Sequence, residues 1–356
     1  MSAPKGRETS QVGIGGGPRV RPDDRVIDDS HRSIDLAVTT LRAGSVVALP
    51  TETVYGLAAD ASNPAAVRRV FELKGRPCDH PLIVHLGLGV NLSDWARRIP
   101  EVAIRLAETF WPGPLTMVLE RSPSVLDEVT GGLDTVALRV PHHTVALRIL
   151  KALGGGLAAP SANRFGRVSP TTAYDVVASL GVGVDLVVDG GPCRVGIEST
   201  IVAFDGQEVV ILRPGGVSPE AIARVIGYRT RIVPELVRAP GSMASHYAPA
   251  VSLELRGASD IVDHATRLVV DGRRVGVLSL APVRVPGATL VWDAEGDMAL
   301  FAHLLYAVMR QADAEGLDVL AVELPPDEGL GVAIRDRLCR AAVRSQQHDK
   351  EVVDDH

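Results

Sequence analysis

Ser45-Val46-Val47-Ala48-Leu49 runs straight into Pro50-Thr51-Glu52-Thr53-Val54-Tyr55-Gly56-Leu57. The first five residues read as a buried strand. The chain then turns at a proline into a segment carrying three hydroxyl groups and a carboxylate. Downstream stand Lys74-Gly75-Arg76-Pro77 and His80-Pro81-Leu82-Ile83-Val84-His85. Hydroxyls, a basic pair and two imidazoles thus lie on loops around short apolar runs, which is how a site for a small polar substrate and a polyphosphate is built. None of this follows the P-loop pattern, and no strand-borne G-x-G-x-x-G is present, so any nucleotide must be held by discrete side chains.

Outward from this stretch, strand-length apolar runs alternate with amphipathic helical patterns between 34 and 227. Further strands are predicted over 81–86, 115–119, 135–140, 157–159, 186–188, 199–204 and 209–212. Helices are predicted from Asn63-Pro64, an N-cap followed by proline at the first helical position, and over 101–110, 144–153, 172–180 and 219–226. This order implies an α/β fold with helices packed on a sheet. Several strands follow one another too closely for helical crossovers, so the sheet is expected to be mixed. Prolines 234, 240 and 249 punctuate an aperiodic stretch that reads as a linker over 229–250. A smaller α/β pattern follows over 251–345, with strands at 275–280, 289–292 and 319–323 and helices at 259–270, 297–314 and 331–344. Residues 1–30 lack hydrophobic periodicity and read as a mobile tail, and 346–356 as a fraying one. The glycine run 13–17 has no preceding strand and is assigned to the tail rather than to a phosphate loop.

The bulk numbers narrow the function. The 356 residues are 46% hydrophobic but only 4% aromatic, so the core must be built from Val, Leu, Ile and Ala. A net charge of -6 argues against a generally basic nucleic-acid binder but leaves room for a local basic cleft. Cys78, Cys193 and Cys339 show no C-x-x-C spacing, which reads as a reducing compartment without a zinc site. No apolar run approaches the roughly 18 residues of a membrane span, and the polar N-terminus is not a secretory signal. A soluble cytoplasmic protein is therefore expected.

Lys74 and Arg76 flank a glycine after a predicted helix. They can neutralise phosphate oxygens, or they can simply be a solvated helix end complementing the dipole. Arg139 ends an apolar strand just before Pro141, where a solvated charge is less expected and a substrate carboxylate could be gripped. Arg213 sits in the same way before Pro214-Gly215-Gly216. Two strand-terminal arginines and one basic loop predict a cleft at one edge of the sheet. Ala159-Pro160-Ser161-Ala162-Asn163, Ser169-Pro170-Thr171 and Glu198-Ser199-Thr200 offer hydroxyls that serve either turns and caps or a ligand. His80 and His85 share no metal-ligand spacing with a carboxylate or cysteine, and His85 can also be a core histidine. No nucleophilic triad or Cys–His unit is visible.

Taken together, PTETVYGL, KGRP, HPLIVH, WPGPLTMVL, GLDTVALRVP, APSAN, GRVSPT, IESTIV, LRPGG and SHYAP, in order from Val46 to Tyr247, resemble the threonylcarbamoyl-AMP synthase family in its long form. The resemblance implies a YrdC-like twisted mixed sheet with flanking helices over 31–228 and a smaller, Rossmann-like α/β extension domain. It implies synthesis of threonylcarbamoyl-AMP and pyrophosphate from L-threonine, bicarbonate or carbon dioxide, and ATP. It places threonine near Thr53, His85, Thr135, Arg139, Ala159 and Ser199, and ATP near Lys74, Arg76, His80, Ser161, Ser169, Arg213 and Tyr247, with Tyr247 closing over the nucleotide as a lid. No protein nucleophile is implied. Mg2+ comes with the ATP phosphates and needs no protein cage, Glu52 and Glu198 being the nearest acidic side chains. The implied partner is a tRNA threonylcarbamoyl transferase complex, with weak RNA contact and no membrane. One departure is His80, where the family usually has asparagine. Three other readings remain: a YrdC-like RNA-binding module without catalysis; a hydrogenase-maturation carbamoyltransferase, whose acylphosphatase-like segment and zinc-finger cysteines are not visible here; and a purely interaction role for the C-terminal domain.

Overall fold

In this computed structural model the described residues are 24–206, 208–237 and 247–353, with side chains as far as Val343. The first part of the chain runs β1 (Val26–Ile27), α1 (His31–Arg42), β2 (Val47–Leu49), β3 (Gly56–Asp60), α2 (Pro64–Lys74), β4 (Ile83–His85), α3 (Glu101–Phe110), β5 (Leu115–Glu120), α4 (Asp127–Thr130), β6 (Thr135–Arg139), α5 (Thr144–Leu153), β7 (Leu157–Ala158), α6 (Ala173–Leu180), β8 (Leu186–Val188), β9 (Thr200–Asp205), β10 (Glu208–Arg213), α7 (Pro219–Ile226) and β11 (Arg231–Ile232). The second part runs β12 (Ser252–Arg256), α8 (Ile261–Val270), β13 (Val275–Ser279), β14 (Leu290–Asp293), α9 (Met298–Ala314), β15 (Val319–Glu323) and α10 (Gly331–Val353).

Among the described residues, β1 to β11 form one mixed sheet in the order β1-β8-β2-β3-β7-β4-β6-β5-β9-β10-β11. The remaining strands form a parallel sheet ordered β12-β15-β13-β14. This is the α/β class expected, a mixed sheet followed by a smaller parallel one.

The two faces of the large sheet are covered differently, and this places the site. One face buries Val67, Val70 and Phe71 of α2, Leu106 of α3, Val176 of α6 and Ile222 of α7. On the other face α1 and α5 pack over β2, β3 and β8. Farther along that face, Ile83, Ala137, Val210 and Leu212 lie under Val233 and Val237, two residues of the connecting segment. Alternation along a strand puts His85 beside Ile83 and Arg139 beside Ala137, so both point out of this face.

Local chemistry sets the element ends. Asn63 accepts from the N–H groups of Ala65 and Ala66 and caps α2, with Pro64 opening the helix. Gly75 ends it in the left-handed region at φ 60, which releases the chain toward Arg76. Thr172 and Asp175 form a reciprocal capping box on α6.

Several expectations need correction. The tail does not extend to residue 30: β1 pairs in parallel with β8, and Arg25 donates to the Gly181 carbonyl at 2.6 Å. Residues 1–23, including the glycine run, lie outside the described residues. Strand β3 was not expected, because Gly56, Ala58 and Ala59 have low strand propensity; burial on both faces holds it. β12 was missed likewise. Helix α10 continues through Val353, so the backbone expected to fray from 346 is helical as far as it is described. The linker carries β11, paired in parallel with β10, while 238–246 lie outside the described residues. Among the described residues no helix is long and apolar enough to cross a membrane.

Candidate functional site

The helix-free stretch of the sheet face is where the chemistry collects. Strands β4, β6 and β10 run in one direction and end in His85, Arg139 and Arg213, while Ser199 enters β9 from the same end. All four line one cavity. Its volume is about 50 Å³, well below the roughly 150 Å³ of a cavity that admits benzene. The space walled off by these side chains is thus small, and the cavity is partly open to solvent.

Arg139 is 3% exposed. Its Nε donates to the Gly113 carbonyl at 3.2 Å, and its Nη2 stands 2.7 Å from Oε2 of Glu52, itself 1% exposed. A buried charge requires such a partner. Beside it, burial first and the Arg139 charge second push His85 down to about 3. The imidazole is therefore neutral at physiological pH, and its buried Nδ1 has no hydrogen-bond partner among the described residues. Thr51 folds the adjoining loop: its hydroxyl accepts from the N–H groups of Thr53 and Val54, donates to the Val54 carbonyl, and lies 2.8 Å from the Thr53 hydroxyl.

On the opposite wall, Arg213 owes its position to an irregularity. Strict alternation would put it with Val209 and Ile211 in the core on the far face. A register shift between Ile211 and Arg213 turns it back into the cavity, as β-bulges do. Its Nη2 donates to the Ser199 carbonyl at 2.8 Å and to the Ser199 hydroxyl at 3.3 Å, and that hydroxyl is 2.8 Å from Thr116 Oγ1. Gly215 makes this approach possible: a Cβ there would lie 2.3 Å from the Ser199 carbonyl carbon and 2.4 Å from the Glu198 oxygen. Gly215→Ala is accordingly expected to cost about 1–3 kcal/mol through forced backbone displacement. It should lower the melting temperature and the activity together; an unchanged melting curve would contradict the close packing.

Of the residues expected at the site, Thr53, His85, Arg139, Ala159, Ser161, Ser199, Arg76, Arg213 and Tyr247 all line this cavity. Ser169 is one bond away, donating to Glu198 Oε1 at 2.7 Å. The structure does not bring the other three to the lining. Thr135 starts β6 and Arg139 ends it, which separates them by about 13 Å of strand. Lys74 is buried under the loop, where its ammonium donates to the carbonyls of Ser161 at 2.5 Å and Asn163 at 2.6 Å. Burial and then the nearby Arg76 charge depress its pKa well below the usual lysine value. His80 is half-buried and meets the Phe165 ring edge-on at 5.6 Å, while the Arg76 guanidinium lies over the same ring at 5.7 Å.

Glu52 and Glu198, the acidic side chains nearest in sequence to a metal role, are both engaged by arginines, Arg139 and Arg337. Among the described residues no three His, Cys, Asp or Glu side chains are placed to hold a metal ion. Sequence reasoning missed Arg337 and Tyr306, which reach the cavity wall from α10 and α9. One signal was available: Arg337 falls on the apolar stripe of Ile334, Leu338 and Ala341, where a solvated charge does not belong.

A family profile described as "Telomere recombination" (Sua5, YciO, YrdC) matches residues 39–215, and one described as "Threonylcarbamoyl-AMP synthase, C-terminal domain" matches 217–343. A Pyrococcus abyssi protein named threonylcarbamoyl-AMP synthase is 39% identical over 322 residues, covering 87% of this chain and 94% of its own length. A Bacillus subtilis protein of the same name is 40% identical over 317 residues, covering 86% of this chain and 92% of its own. The crystal structure of P. abyssi Sua5 complexed with L-threonine is similar at TM-score 0.84 and 38% identity, covering 90% of this chain and 98% of that one.

Proposed function

The chain belongs to the threonylcarbamoyl-AMP synthase family, and on that premise we propose that it joins L-threonine, bicarbonate or carbon dioxide, and ATP into threonylcarbamoyl-AMP with release of pyrophosphate. The observation that carries this reading is the convergence of Arg139 and Arg213, from strands far apart in sequence, on one cavity.

Arg139 takes the threonine carboxylate: its Nε and Nη2 serve Gly113 and Glu52, and Nη1 is available for the substrate. Thr53, neutral His85, the Ala159 backbone and Ser199 surround the rest of the amino acid. Arg76, Ser161 and Arg213 face the triphosphate, and Tyr247 covers them. Lys74 acts through the loop it holds, fixing Ser161 from below, and His80 stands at the rim with Phe165 and Arg76. Magnesium would enter with ATP and would neutralise phosphate charge, with no side chain of this protein assigned to it.

No protein nucleophile is required. The threonine amine adds to the carbon of carbon dioxide, or to bicarbonate with loss of water, and gives a carbamate. A carbamate oxygen then attacks the α-phosphorus in line as the bond to the bridging oxygen breaks, and pyrophosphate departs with the electron pair. The protein contributes positioning and fixed positive charge, the largest available effects for such a transfer. The cavity walls shield the mixed anhydride from water, and Tyr247 is expected to move aside as substrates enter. The product serves a tRNA threonylcarbamoyl transferase, and the need for ATP and tRNA supports a cytoplasmic location.

Pyrophosphate release from ATP, assayed with threonine and bicarbonate each omitted in turn, tests the reading. Release is expected only with both present. Release indifferent to threonine would overturn it.

A further inference from the structure

Glu198 is a buried carboxylate on the wall of the cavity, and its neutralisation comes largely from the other sheet's helices. Arg337 of α10, 0% exposed, donates through Nε to Glu198 Oε2 at 2.7 Å and through Nη2 to the Pro214 carbonyl at 2.9 Å; its Nη1 pairs with Asp336. The Tyr306 hydroxyl of α9 donates to the same Oε2 at 2.9 Å. Tyr247 lies between these two side chains, with its ring stacked on Tyr306 at 5.8 Å and under the Arg337 guanidinium at 5.0 Å. Burial alone would raise the Glu198 carboxyl; the charges of Arg337 and Arg213, with hydrogen bonds from Arg337 and Ser169, hold it down at about 2.

We propose that Arg337 and Tyr306 are positioning residues for the nucleotide, holding Glu198 neutralised so that Arg213 stays directed at the phosphates. This rests on the reading of the cavity as the ATP site. Without Arg337, Glu198 would be a buried, uncompensated anion whose nearest remaining cation is Arg213. It would draw that guanidinium away and repel the incoming triphosphate. The domain following the linker is thus a working part of the site. Pro214 and Ser169 are fixed by the same cluster, which ties the turn before Gly215 and a hydroxyl near the nucleotide to α9 and α10.

Three full-length proteins separate this from simple domain docking: wild type, Arg337→Met, and Arg337→Met combined with Glu198→Gln. The wild-type assay comes first: no threonine-dependent pyrophosphate release there refutes the functional reading itself. Given an active wild type, Arg337→Met is expected to raise the KM for ATP by about 10- to 100-fold. The KM for threonine should move by less than about threefold. The double variant carries neither charge and should return the ATP KM to within about fivefold of wild type. A double variant as impaired as the single one overturns the proposal, since the guanidinium itself would then be what the nucleotide needs. So does an unchanged ATP KM in Arg337→Met. Should the single variant fail to fold, the double variant decides alone by whether its ATP KM lies near the wild-type value.

Discussion

Arg139→Ala is expected to raise the threonine requirement for pyrophosphate release by about 30- to 5,000-fold, because truncating one member of a buried charged pair costs about 2–5 kcal/mol. The ATP requirement should change far less. Two effects add in this variant. The substrate carboxylate loses its guanidinium, and Glu52 becomes an unpaired buried anion at 1% exposure. Combining Arg139→Ala with Glu52→Gln separates them: thermal stability should recover while threonine affinity does not. Arg139→Lys retains the charge but loses the planar fork that serves Gly113 and Glu52 together, so partial activity is expected. Threonine dependence unchanged in Arg139→Ala would remove this side chain from the amino-acid site.

Arg213→Ala should act on the other substrate. A preorganised donor aimed at developing charge contributes about 10²- to 10³-fold, so kcat/KM for ATP should fall by that order. Threonine binding, measured calorimetrically without nucleotide, should stay within about threefold of wild type. Burial lowers the Arg213 pKa from the usual arginine value, which makes this cation costly to keep without an anion close by. If threonine binding were lost and ATP use preserved, the contact with Ser199 would be the one that matters, and Arg213 would belong to the amino-acid side.

Much of the fold was legible because most strands are buried runs with clear boundaries, and most helices carry readable caps such as Asn63-Pro64 and Ser218-Pro219. Arg139 could be read as a site residue because a charge ending an apolar strand before proline has few other uses. Arg213 looked equivalent but is not: only the bulge after Ile211 brings it to the correct face, and bulges leave little trace in sequence. Lys74 misleads for the opposite reason. A lysine at a helix end beside glycine looks solvated or phosphate-bound, yet the turn at Gly75 folds it under the Ser161 loop. Thr135 shares its strand and face with Arg139, but the motif could not show that the cavity lies at the far end. Arg337 and Tyr306 lie more than a hundred residues beyond Glu198, and sequence separation hides such a contact until the chain is folded.

The reaction itself is tested most directly by the mass of its product. Incubated with ATP, L-threonine and 13C-bicarbonate, the protein should yield an AMP adduct that contains threonine and one labelled carbon, together with one pyrophosphate per adduct. AMP or ADP formed at the same rate without threonine, with no labelled adduct, would contradict the claim that these side chains hold an amino acid against a triphosphate.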